Sequence, residues 1–236
     1  GNYLLWDSNE GFWKGMATTN QAWMWKRHAG FDVVAYEGRG SNGDQVRHSL
    51  SKTPEMMWVK RRGGTDDWIV YHKGLNSGSS PEDYKVKLNG TNAESNDNSV
   101  WYDTAPTSTH FTLGDSYTVN QNNQNYLAML FASTDVSKVG YYTGTGSSNS
   151  QTITLGFQPR FVLFKRVNAS EDWFLFDSVR GMGSGNDPYL RPNKDNDQGT
   201  GYDIIEAIST GFTLQANMSG PELNNNNDRF IYYAHA

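Results

Sequence analysis

Pro54-Glu-Met-Met-Trp-Val-Lys-Arg61 returns 105 residues later as Pro159-Arg-Phe-Val-Leu-Phe-Lys-Arg166. Each copy is a short run of apolar residues, rich in aromatic and β-branched side chains, opened by a proline and closed by Lys-Arg. Runs of that length and composition read as strands, because a helix of the same length would not be stable alone. On either side the correspondence continues in order. Tyr36-Glu-Gly38-Arg-Gly40-Ser41 returns as Tyr142-Thr-Gly144-Thr-Gly146-Ser147, and Asp67-Trp68-Ile-Val-Tyr71 as Asp172-Trp173-Phe-Leu-Phe176. Ser108–Leu113 returns as Ser209–Leu214, and Asn125–Ala132 as Arg229–Ala236. The offsets stay between 101 and 106 residues, and chance likeness would not keep five anchors in order.

The chain therefore carries two copies of one unit, over 31–133 and 134–236. Ala22-Trp-Met-Trp25 stands 14 residues before Tyr36, as Ala128-Met-Leu-Phe131 stands 14 before Tyr142. On that likeness residues 1–30 read as the tail of an upstream copy or domain, and the chain as the C-terminal piece of a longer protein.

About eight strand-like segments fall in each copy, separated by Gly/Asn/Ser/Asp turns. The first copy gives 32–38, 45–50, 55–62, 68–73, 84–89, 99–103, 110–114 and 126–133. The second gives 138–143, 151–155, 160–167, 173–179, 188–191, 203–209, 211–215 and 229–235, the stretch 201–209 being either a short strand or one helical turn. Eight short strands in about 100 residues predict an all-β fold of two tandem homologous β-sandwich domains, jelly-roll-like, with a closed barrel as the alternative.

Composition bounds the function. Net charge is −5 with scattered basic residues, which points away from nucleic acid as a partner. With no Cys, disulfide scaffolds, Cys–zinc sites and thiol catalysis are excluded. No apolar run approaches the roughly 18–20 residues of a helical membrane span, so no membrane insertion is expected.

Motifs of catalysis are missing as well. No Ser stands in a G-x-S-x-G elbow, and His28, His48, His72, His110 and His235 form no H-E-x-x-H pattern. No P-loop or dinucleotide fingerprint is present, so no cofactor is expected. Gly38-x-Gly40 and Gly144-x-Gly146 lie between strands and read as hairpin glycines. Asp67 and Asp172 hold equivalent places before a strand Trp, where a carboxylate accepts turn N–H bonds; a catalytic pair would have to converge on one site. Neither line predicts an enzyme.

Asn193-x-Asp195-x-Asp197-x-Gly199 resembles a calcium loop with oxygen ligands at alternate positions. Its Gly is one place late and no acid follows at the expected distance, so a solvated turn is the plainer reading. Trp58, Trp68, Trp101 and Trp173 could offer faces for sugar stacking. The matched aromatics Trp68/Trp173 and Phe111/Phe212 are expected in the core, since duplicated scaffolds keep their packing. The unmatched Trp101, Tyr102, His72 and His110, near loops, are the candidate binding residues.

Taken together, "DVVAYEGRGS", "PEMMWVKRR", "DDWIVYHKGL", "NGTNAES", "TAPTSTHFTLG" and "NYLAMLF" resemble a repeat module of unknown function found in tail-fibre and other virion-associated proteins of marine phages, cyanophages in particular. "GYYTGTGSSNS", "GFQPRFVLFKR", "DWFLFDS", "LRPN" and "STGFTL" match its second repeat, so the likeness runs from Ala22 to Ala236. The terminal "FIYYAHA" is less aliphatic than that family's usual ending. The resemblance implies an extracellular virion appendage: a receptor-binding, glycan-facing segment, or a structural spacer that meets other tail proteins. It implies no catalytic residue. A fibre of this kind is expected to be a homo-oligomer, most simply a trimer, because repeating a shallow glycan site raises avidity. Trp13, Trp23 and Trp25, crowded into a short N-terminal stretch, point the same way.

Overall fold

The computed structural model describes residues 24–236 apart from Ser184 and Ser219, with the backbone of an N-terminal hairpin, β1 (Leu5–Asp7) and β2 (Gly11–Trp13). Trp23 and the side chain of Trp13 lie outside the described residues. The first copy continues with β3 (Phe31–Glu37), β4 (Asp44–Arg47), β5 (Met56–Arg61), β6 (Ile69–His72), β7 (Tyr84–Lys87) and β8 (Ser95–Asn96). It closes with α1 (Asn98–Trp101), β9 (His110–Leu113), α2 (Tyr117–Asn120) and β10 (Asn125–Phe131). The second copy has β11 (Ser137–Thr143), β12 (Gln151–Thr154), β13 (Phe161–Arg166), β14 (Trp173–Asp177), β15 (Tyr189–Leu190), β16 (Ile205–Ile208), β17 (Gly211–Leu214) and β18 (Arg229–His235).

The fold is all-β, built of antiparallel sheets of which none closes on itself, so the sandwich rather than the barrel is the architecture. Each copy contributes one large and one small sheet. The large sheets run β3-β10-β5-β6-β7-β8 and β11-β18-β13-β14-β15, and the small ones β4-β9 and β12-β17-β16. The order of corresponding strands is the same in both copies, and the register agrees: Tyr126 faces Arg61 as Phe230 faces Arg166. Side-chain detail repeats too. Tyr36 stacks on Tyr126 at 5.2 Å and Tyr142 on Phe230 at 5.1 Å, and their hydroxyls donate to the Val119 and Leu223 carbonyls.

Three cores separate the sheets. Met57, Val59, Ile69, Tyr71, Ala128 and Leu130 turn toward β9 and the two helical turns, closing the first sandwich. Val162, Phe164, Phe174, Phe176 and Tyr232 meet Phe212 and Leu214 to close the second. Alternation sends the neighbouring residues to the opposite face. Met56, Trp58, Val70 and Phe131 of one copy there meet Phe161, Leu163, Trp173, Leu175 and Tyr233 of the other in a third, central core. The two large sheets thus pack back to back, and their central strands β5, β6, β13, β14 and β18 are buried on both faces. That explains why the deciding stretches are continuous apolar runs instead of alternating ones.

The turn around residues 133/134, read as the boundary between units, leads straight from β10 into β11. Trp25, assigned by the sequence to an upstream unit, packs into this central core against Phe31, Trp58, Phe131 and Phe161. Polar ties cross the same interface. Trp173 Nε1 donates to the Lys87 carbonyl at 2.8 Å, and Arg229 pairs with Glu94 at 2.5 Å. Lys165, fully buried, donates Nζ hydrogens to the carbonyls of Arg166, Glu171 and Thr91. Burial brings its ammonium down to about 8.

Two sequence expectations are corrected. The segment 99–103 is not a strand: Asp97 accepts from the Ser99 N–H and caps the helical turn α1, which ends on Tyr102 in the left-handed region. Gly38-x-Gly40 and Gly144-x-Gly146 are not hairpin turns, because the strands they join lie in different sheets. Gly38 and Gly144 are needed for close approach instead. A Cβ there would stand 2.4 Å from the Gln121 carbonyl oxygen and 2.0 Å from that of Asn225.

Candidate functional site

The four candidate binding residues do not come together. Trp101 is 1% exposed, and its indole N–H donates to the Tyr84 carbonyl at 3.1 Å; it is core, not a ligand face. His72 is fully buried between the copies. Its Nδ1 accepts from the Gly74 N–H at 2.9 Å, which leaves Nε2–H to donate to the Tyr232 carbonyl at 3.2 Å. Burial pushes its imidazole down to about 3. Both residues lie near loops in sequence, but Trp101 is enclosed in the core of the first sandwich and His72, on β6, between the two copies.

Tyr102 and His110 are accessible. Tyr102 is 46% exposed at φ 53, a backbone conformation that costs a bulky residue about 1 kcal/mol or more. His110, half-buried, holds Nδ1 within 3.1 Å of the Thr107 hydroxyl and 3.0 Å of the Thr109 hydroxyl. Among the matched aromatics, Trp173, Phe111 and Phe212 are buried as expected, whereas Trp68 is half-buried against the central core.

Asp67 and Asp172 hold their turns, but through an intermediary. Asn89 Oδ1 accepts from the Trp68 N–H and its amide donates to Asp67; Asn193 does the same between Trp173 and Asp172. Lys87 pairs with Asp67 at 2.7 Å and Lys194 with Asp172 at 2.8 Å. The bond from Lys87 holds the Asp67 carboxyl below its ordinary range. At Asp172 burial acts upward, but Lys194 and Asn193 outweigh it. Asn193 is therefore a turn clamp with both ends of its amide engaged, while Asp195 and Asp197 are exposed. Among the described residues no three His, Cys, Asp or Glu side chains converge as a metal would require. The recurrence of Asn at 89 and 193, 104 residues apart, is the signal that would have revealed the clamp.

What the structure adds is a cleft. Among the described residues β3 is outermost in its large sheet and β4 is unpaired on the side away from β9. Between them opens a groove of about 1240 Å³, lined among others by Ala35, Glu37, Arg39, Gln45, Arg47 and His110. The bonds Gly38 N–H to Gln124 and Ala132 N–H to Gly30 set the parity of β3, so residues of even number pair with β10. Ala35 and Glu37 therefore turn their peptide groups outward, and the His48–Thr109 bond does the same for Gln45 and Arg47.

At the loop end of the groove Asn120 acts as a clasp: its Oδ1 accepts from the Arg39 N–H and its amide donates to Ser41, Asp44 and Gly114. Gly43, on the lining, sits against the Tyr102 ring, so that a Cβ there would lie 3.6 Å from it. Tyr102 thus stands at the rim. A second depression of about 460 Å³ beside the exposed Tyr117 is neutralised internally by the Lys85–Asp97 and Lys87–Asp67 pairs.

A family model described as a domain of unknown function (DUF7483) matches residues 15–236. The chain belongs to that family. The DUF7483 match takes in both copies and the central core between them. Neither the curated proteins nor the solved structures yield a match.

Proposed function

We propose that this chain is a non-catalytic recognition module of a phage tail fibre that faces host cell-surface glycan through the cleft between β3 and β4. The observation that carries the reading is the make-up of that cleft. Outward peptide groups line its two walls, and an exposed tyrosine held in a strained backbone conformation stands at its rim. Sugars offer hydroxyls to hydrogen-bond and an apolar ring face to stack, and such a groove answers both. Backbone strain at an exposed aromatic side chain is the kind of feature that collects at binding sites. The virion setting rests on the sequence resemblance. The non-catalytic part rests on Asp67 and Asp172, whose carboxylates are tied to Lys and Asn partners in both copies.

A glycan array probed with the whole chain tests this. Binding to cell-envelope oligosaccharides that falls at least tenfold on Tyr102→Ala supports the reading. Binding unchanged by that substitution overturns the placement of the site. A second reading is a rigid spacer or assembly module that meets other tail proteins. The burial of Trp101 and His72 favours it, since the residues most suited to ligand contact serve the body's rigidity. No binding anywhere on the array would leave the spacer as the better account.

A further inference from the structure

We infer that the β3/β4 cleft is built to take a sugar bearing an acetamido group, whose amide pairs with the open peptide edge of β3. The inference rests on the glycan-facing reading above and narrows it. A comparison of the two copies carries it. Their registers align Glu37 with Thr143 and Asp44 with Gln151, since Asp44 faces Leu113 as Gln151 faces Leu214. In the second copy a side chain spans the seam between β12 and β11: the Gln151 carboxamide donates from Nε2 to the Thr143 carbonyl at 3.1 Å. That carbonyl is turned outward from β11 as the Glu37 carbonyl is from β3, because the Gly144 N–H bonds to Asp228 as the Gly38 N–H does to Gln124. One copy thus already holds an amide at this edge. In the first copy the place is open. Asp44 is a methylene shorter than Gln151 and, as a carboxylate, has no hydrogen to donate to a carbonyl. Its Oδ2 accepts instead from the Ser41 N–H at 3.1 Å and the Asn120 amide at 3.0 Å. The Glu37 carbonyl is left to a donor from outside.

The space behind the edge differs in the same sense. Val34 lies opposite Ala128, and its counterpart Gly140 opposite Tyr232. The Tyr232 ring covers Gly140 so closely that a Cβ there would stand 2.3 Å from it. With the small Ala128 in that place, the first copy keeps Val34, Tyr36 and Val46 half-buried on the lining of the cleft. Apolar side chains beside outward N–H and C=O groups answer the three parts of an acetamido group: its methyl, its carbonyl and its N–H. The charged lining is balanced, Glu37 and Asp44 against Arg39 and Arg47, in keeping with a neutral ligand. Tyr102 at the rim supplies a ring face for the sugar itself. No bond is made or broken; the site holds and does not react.

The test is titration calorimetry of the whole chain with tri-N-acetylchitotriose and with cellotriose, which has the same backbone and hydroxyls in place of the acetamido groups. Two variants probe the edge. Asp44→Gln supplies the second copy's carboxamide at this place and should compete with the sugar. Ala35→Pro removes an outward N–H of β3, a hydrogen that takes no part in the sheet, so proline is tolerated there. Thermal melts check that each variant stays folded. The expected result is binding of the acetamido probe at least tenfold tighter than of cellotriose, weakened about tenfold in each variant. Its affinity should change by less than about twofold between about 50 and 500 mM salt, as expected of a neutral ligand. Equal binding of the two probes would overturn the acetamido inference while leaving the glycan reading standing. A folded variant that binds as tightly as the wild type would overturn the pairing at the β3 edge. Silence of the acetamido probe, alongside binding of other glycans on the array, overturns this inference alone; silence in both experiments overturns both.

Discussion

Acid should loosen the molecule at one identifiable side chain, His72. The imidazole has no exposure, accepts from the Gly74 N–H through Nδ1 and donates to Tyr232, 160 residues away, through Nε2. A proton on Nδ1 would abolish the Gly74 bond and place a charge in the central core. Lys73 stands beside it and adds repulsion, which Glu55 only partly offsets. The neutral form is therefore favoured in the folded chain, down to about pH 3, whereas the unfolded chain binds that proton near the ordinary 6.5. Between those values the unfolded state holds more protons, so stability falls as pH falls. The slope is about 1.4 kcal/mol per unit below pH 6.5. From pH 7.5 to 5 the loss is about 2 kcal/mol, and any folded-state value below about 4 gives the same figure. Urea melts of the wild-type chain and of His72→Gln at both pH values measure it. Gln keeps a donor at the Nε2 position and does not titrate, so the difference between the two proteins' pH dependences isolates His72 from Asp187, whose carboxyl burial raises, and from the other histidines. A wild-type loss no larger than that of His72→Gln would refute the reasoning.

Other perturbations have equally definite outcomes. Trp101→Ala should cost roughly 3–5 kcal/mol in denaturant melts, because the ring is fully enclosed. Tyr102→Gly should leave stability unchanged or raise it by about 0.5 kcal/mol, since it relieves a positive φ at an exposed site. Asn193→Ala strands the Trp173 N–H and one Asp172 oxygen, for a loss of about 1–3 kcal/mol, and Asn89→Ala should cost less because its surroundings are wetter. Millimolar calcium should leave the melting temperature of the wild-type chain within about 1 °C of its metal-free value, as expected where Asn193 is already engaged. Light scattering on the chain joined to any upstream sequence should report a trimer; a strict monomer at micromolar concentration removes that proposal.

The sequence was most legible where both copies repeat it. Of the sixteen strand segments, 99–103 alone turned helical, because Asp97 and Ser99 form a cap that no apolar pattern reveals. β8, only two residues long, was beyond any periodicity. The matched tyrosines, glycines and Asp-Trp pairs pointed to shared local structure, although the glycines serve a crossing between sheets and the aspartates work through Asn89 and Asn193. The harder part was which side of each strand meets what. Met-Met-Trp-Val and Phe-Val-Leu-Phe are apolar at every position, as strands covered on both faces are, but apolar runs alone do not say what covers each face. His72 is buried where the two copies meet, and Trp101 inside the first sandwich, where the helical turn α1 carries it. The cleft could not be read at all. It depends on β3 and β4 each lacking a neighbour on one side among the described residues, and on Asn120 drawing the loops together from more than 70 residues away.

The central claim is that the two repeats form one body whose large sheets share a core, and that this body presents the cleft. Expressing 31–133 and 134–236 separately and comparing their urea melts with that of the whole chain tests it most directly. Each half alone would expose the face that carries Met56, Trp58 and Phe131, or Phe161, Leu163 and Trp173. The whole chain should unfold in a single cooperative transition, while neither half gives one of comparable steepness, and both bind a hydrophobic dye in native buffer. Two halves that each melt cooperatively at the midpoint of the whole chain would contradict the shared core.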